Sequence, residues 1–304
     1  MLFLRRVLLL FLSIWLAVTV VFVLLRIVPG DAITAQLIQS GASADEIAAQ
    51  RSAFGLDQSL LLQYIQYITG LLRGDLGYSL STREPVASMI ARSLWPTLSL
   101  AIGALVVASI LGIGLGISSG LQRPALVVRM SQSILGLALA VPIYWSGTIA
   151  LYIFTVQLSL LPSAGAGRLS QLILPVLVLG FHTAGAIGRV TQANVMETLE
   201  ADYIRTAKAK GLANSQILTN HVLKASLLPT VSIIALQAGF LLSGAVITES
   251  IFVRPGIGRL LLQTTLEQDY PVVQGIMIVT AIGYSLIVIV ADWISARIDP
   301  RLDS

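Results

Sequence analysis

The sequence has 304 residues, of which 56% are hydrophobic and only 11% are charged. A soluble domain carries about a quarter charged residues, so the composition excludes an ordinary soluble protein and indicates an integral membrane protein. Cysteine is absent, which excludes disulfides, thiolate metal sites and cysteine nucleophiles. The net charge of +4 comes without a basic stripe interleaved with aromatics, so nucleic acid is not an expected partner. His182 and His221 lie too far apart in sequence to predict a metal site.

The first apolar run follows Arg5 and Arg6 and extends from Val7 to Leu25. A cleavable signal peptide would have a shorter core and a small-residue cleavage site. The run therefore predicts a first transmembrane helix within residues 1–28, with its N-terminus in the cytoplasm.

Residues 29–94 are polar enough to lie outside the membrane, and local signals predict that they are helical. Asp31 can cap a short helix that ends at Gln39. Ser43 and Glu46 form a capping box for a helix that Gly55 closes.

Two further helices are predicted before the second span. Pro85 opens one of them, with Val86, Ile90 and Leu94 facing inward. The other carries an amphipathic stripe formed by Leu60, Leu61, Tyr64, Ile65, Ile68 and Leu72. Residues 29–94 are expected to form a small helical cap that lies on the membrane surface.

Three apolar runs predict the next spans, at Leu98–Ile117, Ile134–Val156 and Leu172–Ile187, and Pro142 interrupts the second of these runs. Small residues recur every four positions in two of the spans. They are Gly112, Gly116 and Gly120 in one, and Gly180, Ala184 and Gly188 in the other. Bare backbone on one helix face predicts close helix packing. A nucleotide-binding loop is not expected, because the lysine is missing and the glycines sit inside a span.

His182 lies within the predicted fourth span. An intramembrane histidine is a functional candidate, here for a structural or gating role, but a lone one is more often a packed, hydrogen-bonded residue. An intramembrane serine protease is a remote alternative, with Ser118 of Gly116-Ile-Ser118 as nucleophile and His182 as base. The small residues around Ser118 are already explained by packing.

Two more spans follow, at Leu227–Thr248 and Val272–Val290. Gln237 and Ser243 are polar residues in the fifth span and are candidates for lining a pore, because polar groups at lipid depth tend to face cavities or partner helices. Hydrogen bonding between helices is an equal alternative. Asp292 lies near the inner end of the sixth span and is a further candidate for a structural or gating role.

The longest polar interval of the second half, residues 197–229, has its charges in order. Glu197, Glu200 and Asp202 precede the basic residues, which suits the dipole of a single helix. In that helix Asp202 and Arg205 can pair, and an apolar stripe consists of Leu199, Tyr203 and Ala207. Gly211 supplies a stop. A second short helix is predicted after it, capped by Asn214 or Ser215, with Ile217, Leu218 and His221 projecting outward.

The segment from Arg205 to Gly211, followed by an amphipathic helix and Leu228-Pro229, resembles the signature loop of ATP-binding-cassette importer permeases. In that family the glycine marks the turn before a coupling helix that docks on the ATPase subunit. Arg205 stands where the general motif has glutamate, and the Leu-Pro comes late, as in the peptide and nickel importer branch. Other strings are similar to the "B"-type permease of that branch: 28–31, 74–79, 84–86, 249–252, 255–258, 269–275 and 299–301.

The resemblance implies an all-α integral membrane protein of six transmembrane helices with the type I importer permease fold. The permease domain would cover residues 95–293 and the cytoplasmic tail residues 294–304. The positive-inside rule independently puts both termini and the 197–229 loop in the cytoplasm, because that arrangement leaves 11 of the 19 Lys and Arg residues inside.

The resemblance also implies the assembly and the mechanism. The expected partners are a second homologous permease, two ATPase subunits that bind ATP and Mg, an extracytoplasmic solute-binding protein and membrane lipid; no cofactor is expected in this chain. The residues predicted to couple to the ATPase are Arg205, Ala207, Lys208, Gly211, Ser215, Ile217, Leu218 and His221. Dipeptides, longer peptides, nickel and metal chelates remain open as substrates. A self-sufficient secondary transporter is the main alternative, although no internal repeat is found.

Overall fold

The structure, a computed structural model, describes residues 2–27, 43–53, 57–121 and 124–298. Helices account for the named elements within these ranges. Two compact units divide the chain: Met1–Trp95 with Arg259–Ile282, and Pro96–Gly258 with Gly283–Ser304.

The first unit begins with α1 (Leu2–Ile27), α2 (Ala44–Ala53) and α3 (Leu60–Leu72). It also contains the first part of α4 (Val86–Gly120), most of α12 (Ile257–Leu266) and the first part of α13 (Tyr270–Ile298).

The predicted capping box opens α2. Glu46 Oε2 accepts bonds from the Ser43 amide at 2.8 Å and from its hydroxyl at 3.0 Å, and these bonds lower the pKa of the Glu46 carboxyl. Gly55 and the predicted helix from Asp31 to Gln39 lie outside the described residues.

A buried carboxylate organises the turn before α4 in the first unit. Asp269 is fully buried, and its oxygens accept the hydroxyl protons of Ser79 at 2.5 Å and Ser81 at 2.9 Å. The Leu80 amide donates to the same carboxylate at 3.1 Å. Several hydrogen bonds to a buried carboxylate compensate for its lost hydration. Asp269 therefore ties the start of α13 to a segment 190 residues away.

The second unit contains most of the remaining helices and the later parts of α4 and α13. Its own helices are α5 (Ala125–Ala140), α6 (Ile143–Leu151) with a π-helical continuation (Tyr152–Gln157), α7 (Ser170–Glu200), α8 (Asp202–Ala209), α9 (Asn214–Ile217), a π-helical turn (Leu218–Val222), α10 (Leu223–Gly244) and α11 (Val246–Ile251).

Four described helical stretches are long and apolar enough to cross a membrane: Val86–Gly120, Ser170–Glu200, Asn214–Leu242 and Tyr270–Ala291. The bent pair formed by α5 and α6 makes a fifth if it is one span. The apolar part of α1, Phe11–Arg26, is shorter than these candidate spans.

Several predicted boundaries were wrong. The helix opened by Pro85 and the second span are one helix, α4, which continues through Pro96. The fourth span continues from Ile187 to Glu200. The predicted interruption at Pro142 is confirmed: α5 and α6 meet there at a bend of 100°, because proline has no N–H and its ring obstructs the preceding turn.

The predicted glycine packing face is confirmed in the second unit. A Cβ on Gly112, Gly116 or Gly120 would lie within 2.6–2.8 Å of Ile187, Thr191 or Val195 on α7. The same atom on Gly116 would lie 2.7 Å from a backbone carbonyl oxygen of α7. Glycine is therefore required for the two helices to approach at backbone distance, the arrangement in which van der Waals packing stabilises membrane helices.

Candidate functional site

The polar interval predicted as one helix is two helices separated at Ala201. α7 ends at Glu200, Ala201 is extended with ψ 143°, and α8 begins at Asp202. Glu197 and Glu200 therefore lie in the last turn of α7, where the helix dipole disfavours acids, and the single-helix prediction was wrong. The predicted pair is present, with Arg205 Nη1 3.2 Å from Asp202 Oδ1. Both side chains are highly exposed, so the pair adds little stability.

Gly211 turns the chain as predicted. Its φ of +75° lies in the left-handed region, which glycine adopts without a Cβ penalty. Its amide donates to the Lys208 carbonyl at 3.0 Å, and the Leu212 amide donates to the Ala207 carbonyl at 3.3 Å. These bonds use carbonyls left open at the end of α8, and they fix the direction in which the chain leaves it.

The predicted second short helix is the first turn of a long one. α9 runs through the π-helical turn into α10, so the stretch from Asn214 to Gly244 is helical throughout. Its N-cap is Ala213, one residue before the predicted caps Asn214 and Ser215, and Ala213 has no side chain to cap with. The turn at Gly211 is therefore attached directly to a membrane-length helix.

Ile217 was predicted to project outward, and that prediction was wrong. Its side chain is 3% exposed and packs in a cluster with Val195, Ile204, Ala207 and Val222. Leu218 is partly buried against the same cluster, and His221 is half-buried.

The buried stripe of α8 is Ile204 and Ala207 instead of Tyr203 and Ala207, since Tyr203 is 49% exposed. Leu199 packs against the cluster from α7. α8 has an apolar face, as the pattern predicted, but with the helix broken at Ala201 that face contains Ile204 in place of Tyr203.

The exposed surface of this region is a turn, which we call the 208–219 surface. Its exposed members are Lys208, Ala209, Lys210, Gly211, Leu212, Ala213, Asn214, Ser215, Gln216 and Thr219. Arg205 is also exposed, on the preceding turn. The surface combines two lysines with one large apolar side chain, Leu212, which is 38% exposed. A small apolar centre with a cationic rim is suited to docking in a groove of another protein.

His182 connects the two arms of the bent α5–α6 pair. Its Nδ1 lies 2.8 Å from the Ala138 carbonyl oxygen and its Nε2 lies 2.6 Å from Ser146 Oγ. In an unbroken helix the Ala138 carbonyl would accept the amide of residue 142, but Pro142 has none. The histidine supplies the missing proton from Nδ1, which leaves Nε2 to accept the Ser146 hydroxyl.

This geometry contradicts the protease alternative. Ser118 donates its hydroxyl to the Gly114 carbonyl at 2.7 Å, and both nitrogens of His182 have partners elsewhere. His182 is a packed, hydrogen-bonded residue that holds a helix break.

Sequence reasoning missed a buried polar cluster around the loop after α11. Glu249 is fully buried and accepts the Thr97 hydroxyl at 2.6 Å, and Thr97 Oγ1 accepts the Ile257 amide at 2.8 Å. A Cβ on Gly256 would strike the Glu249 carboxylate. In the sequence, residues 249–258 carry only the family resemblance, although an acidic and a basic residue near Pro255-Gly256 could indicate a buried loop.

Arg254 completes this cluster with its guanidinium. It is 1% exposed and donates to the carbonyls of Gly165, Gln171 and Pro96 at 3.1–3.3 Å. Burial lowers the pKa of Arg254 from its ordinary value, while the charge of Glu249 opposes that shift. The cluster fastens the 249–258 loop to the start of the transmembrane part of α4 and to the loop before α7.

The candidate pore residues remain predictions. An apolar cavity of about 330 Å³ lies among α4, α10 and α13 of the second unit, but Gln237, which is half-buried, does not line it. The side chains of Ser243 and Asp292 lie outside the described residues. In the described part of the chain no group of three or more His, Asp or Glu residues could hold a metal ion.

Comparisons with known proteins assign the chain. The family described as "Binding-protein-dependent transport system inner membrane component" matches residues 112–304, and the corresponding N-terminal family matches residues 1–101. The glutathione transport system permease protein GsiC of Salmonella paratyphi A is 35% identical over 300 residues, covering 98% of this chain and 97% of the relative. The same-named protein of Escherichia coli is 36% identical over 299 residues, with the same coverage.

Solved structures agree on the fold. A chain of the inward-facing MetNI methionine ABC transporter aligns with a TM-score of 0.59 at 18% identity, covering 70% of this chain and 97% of that one. An amino acid ABC transporter crystallised with histidines aligns with a TM-score of 0.53 at 12% identity, over 71% and 94%. The chain therefore belongs to the family of binding-protein-dependent inner membrane transport components and is a permease subunit of a peptide-type ATP-binding-cassette importer, in which separate subunits hydrolyse ATP.

Proposed function

We propose that this permease forms half of a translocation pathway for small peptides, with six spans and both termini in the cytoplasm. The six spans are α1, α4, the bent pair α5 and α6, α7, the stretch from Asn214 through α10, and α13. Peptides are proposed as the substrate because of one observation: the chain is 35–36% identical, over nearly its full length, to permeases named for glutathione transport. Nickel and metal chelates from the sequence-based expectation have no comparable support.

The 208–219 surface is the proposed contact with the ATPase. The buried Ile217 anchors this surface to the permease, and the exposed Leu212, Ser215 and Gln216 meet the partner. Because the turn is continuous with α10, a displacement by the ATPase would be transmitted along a membrane-length helix. Asp292 and the two hydrogen bonds of His182 are also proposed to take part in this movement. Gln237 and Ser243 are proposed to face the translocation pathway.

The proposed assembly contains this chain, a second homologous permease, two ATPase subunits and an extracytoplasmic solute-binding protein. The present chain would supply no cofactor site, and the ATPase pair would bind ATP and Mg. Movement of the ATPase pair would switch the pathway between its inward-open and outward-open forms.

A paired substitution tests the coupling proposal. Leu212→Asp removes the apolar centre of the 208–219 surface, and Ser163→Asp places the same charge on another exposed loop. Uptake of labelled glutathione, a dipeptide and nickel ions is measured in proteoliposomes with the co-purified complex. We expect ATP-dependent uptake of the peptides, lost in Leu212→Asp and retained in Ser163→Asp. Equal uptake by both variants would refute the coupling surface, and uptake of nickel alone would refute the peptide assignment.

A further inference from the structure

The short helix α3 has no role in the transport cycle proposed above. It has 13 residues, none of them charged and none buried. At 1.5 Å per residue it is about 20 Å long, too short to cross a hydrocarbon core of about 30 Å. An apolar helix of this length is usually a core helix, a re-entrant segment or an interfacial segment. The exposure of its side chains excludes a core helix.

One face of α3 packs against the end of α1. The Tyr64 hydroxyl lies 2.7 Å from Thr19 Oγ1. The Phe22 ring meets Tyr64 edge-on at 5.2 Å and stacks on Tyr67 at 5.4 Å. These contacts place the middle of α3 beside the last two turns of α1.

The charged end of α1 fixes the depth of this contact. Arg26, in the last turn of α1, donates from Nε to Gln63 Oε1 at 3.0 Å, and its guanidinium lies 3.8 Å from the centroid of the Phe22 ring. An arginine at the end of a membrane helix sits at the boundary between hydrocarbon and headgroups, and tyrosines are enriched at the same level. α3 therefore lies at the interface on the side where α1 ends.

The remaining surface of α3 has an apolar arc and a narrow polar side, which holds Gln66 and borders on Leu62, 44% exposed. Successive helical residues are about 100° apart, which puts Leu61, Ile65 and Leu72 on one arc, about 120° from the arc that contacts α1. Their exposed fractions are 70%, 48% and 75%. Gln66 is exposed about 120° further round, on the third side.

We propose that α3 is an interfacial helix whose axis lies in the membrane plane and whose Leu61, Ile65 and Leu72 insert among lipid acyl chains. The neighbouring helix α1 also exposes large apolar side chains, with Leu16 55% and Leu24 57% exposed, so both helices present apolar surface outside their mutual contact. Gln66 faces water. Each side of the helix is then matched to its surroundings: protein, hydrocarbon or water. This placement of α3 requires only that α1 spans the membrane, and it does not depend on the transported substrate.

Spin labels test this arrangement directly. The chain has no cysteine, so single cysteines can be placed at Leu61, Ile65 and Gln66 without removing others. The full chain, purified with its transport partners, is labelled with a nitroxide and placed in nanodiscs of phosphatidylethanolamine and phosphatidylglycerol. Relaxation of each label is measured with oxygen, which concentrates in lipid, and with a water-soluble nickel chelate. Variants at Leu72 and at Arg73, which is exposed on the same side as Gln66, provide a second apolar and polar pair if the first set is poorly folded.

We expect the nickel chelate to relax the label at Gln66 several-fold more than the labels at Leu61 and Ile65. Oxygen should relax the labels at Leu61 and Ile65 more than the label at Gln66. Strong relaxation by nickel at every position would put α3 in water and overturn the proposal. Labels at Leu61 and Ile65 that neither reagent reaches would also overturn it, because the apolar arc would then be covered by protein. Neither negative result would alter peptide uptake, so this failure is distinguishable from failure of the proposed function.

Discussion

Replacing Gly116 by alanine should separate two helices that glycine allows to touch. The added Cβ would lie 2.6 Å from Thr191 Cβ and 2.7 Å from the Gly188 carbonyl oxygen, whereas favourable carbon contacts need about 3.5–4.0 Å. α4 and α7 would have to part by about 1 Å, since one obstacle is backbone, and such overpacking costs about 1–3 kcal/mol. Alanine also favours a helix over glycine by about 1 kcal/mol, which opposes part of the loss.

Gly114 on the same helix is the matched control. A Cβ there would meet no atom within 4 Å, so Gly114→Ala gains the helix preference without the clash. The two variants should therefore differ by about 1–3 kcal/mol, or on the order of 5 °C in apparent Tm. Thermal denaturation of the detergent-purified chain, followed by size-exclusion chromatography, measures the difference. Equal midpoints, or a less stable Gly114→Ala, would refute the packing argument.

Three further predictions concern the turn at Gly211, the buried loop and the helix break. Ile217→Asp should abolish folded protein because it buries an unpaired charge, while Gln216→Asp next to it should leave expression and gel filtration unchanged; similar losses in both would contradict the buried position of residue 217. Gly256→Ala should destabilise the chain by about 1–3 kcal/mol in thermal denaturation, because its Cβ meets the Glu249 carboxylate, and an unchanged midpoint would argue against the clash. His182→Phe should lower the free energy of unfolding by about 1–3 kcal/mol, because it leaves the Ala138 carbonyl unpaired, and His182→Asn should recover part of this loss. Equal stability of the two variants would rule out the hydrogen-bond role of His182.

Local signals in the sequence predicted local structure well. The Ser43–Glu46 capping box, the turn at Gly211 and the glycine face of α4 each depend on residues within a few positions of one another, and each was confirmed. The pattern of apolar residues around Ile217 was also recognised. It was assigned to the wrong side because periodicity identifies an apolar face without saying whether protein or solvent covers it.

Other features depend on residues that are distant in sequence. The Arg254 guanidinium donates to a carbonyl 89 residues away. His182 lies on α7 but pairs with the Ala138 carbonyl of α5, which Pro142 leaves without an amide donor. The break at Ala201 has no proline or glycine to indicate it in the sequence, and after it Ile204 and Ala207 pack in one cluster with Val195 of α7. Tertiary contacts of this kind override local preference and leave no signal at the residue itself.

Purification of the intact assembly tests the central claim most directly. The chain is tagged, extracted from its native membrane in a gentle detergent, and the accompanying proteins are identified and quantified by mass spectrometry. The importer assignment predicts a second six-span permease in equal amount and two copies of ATP-binding-cassette ATPase per pair of permeases, with ATPase recovery reduced in Leu212→Asp. Recovery of the chain alone, or only with further copies of itself, would contradict the assembly and the coupling surface together.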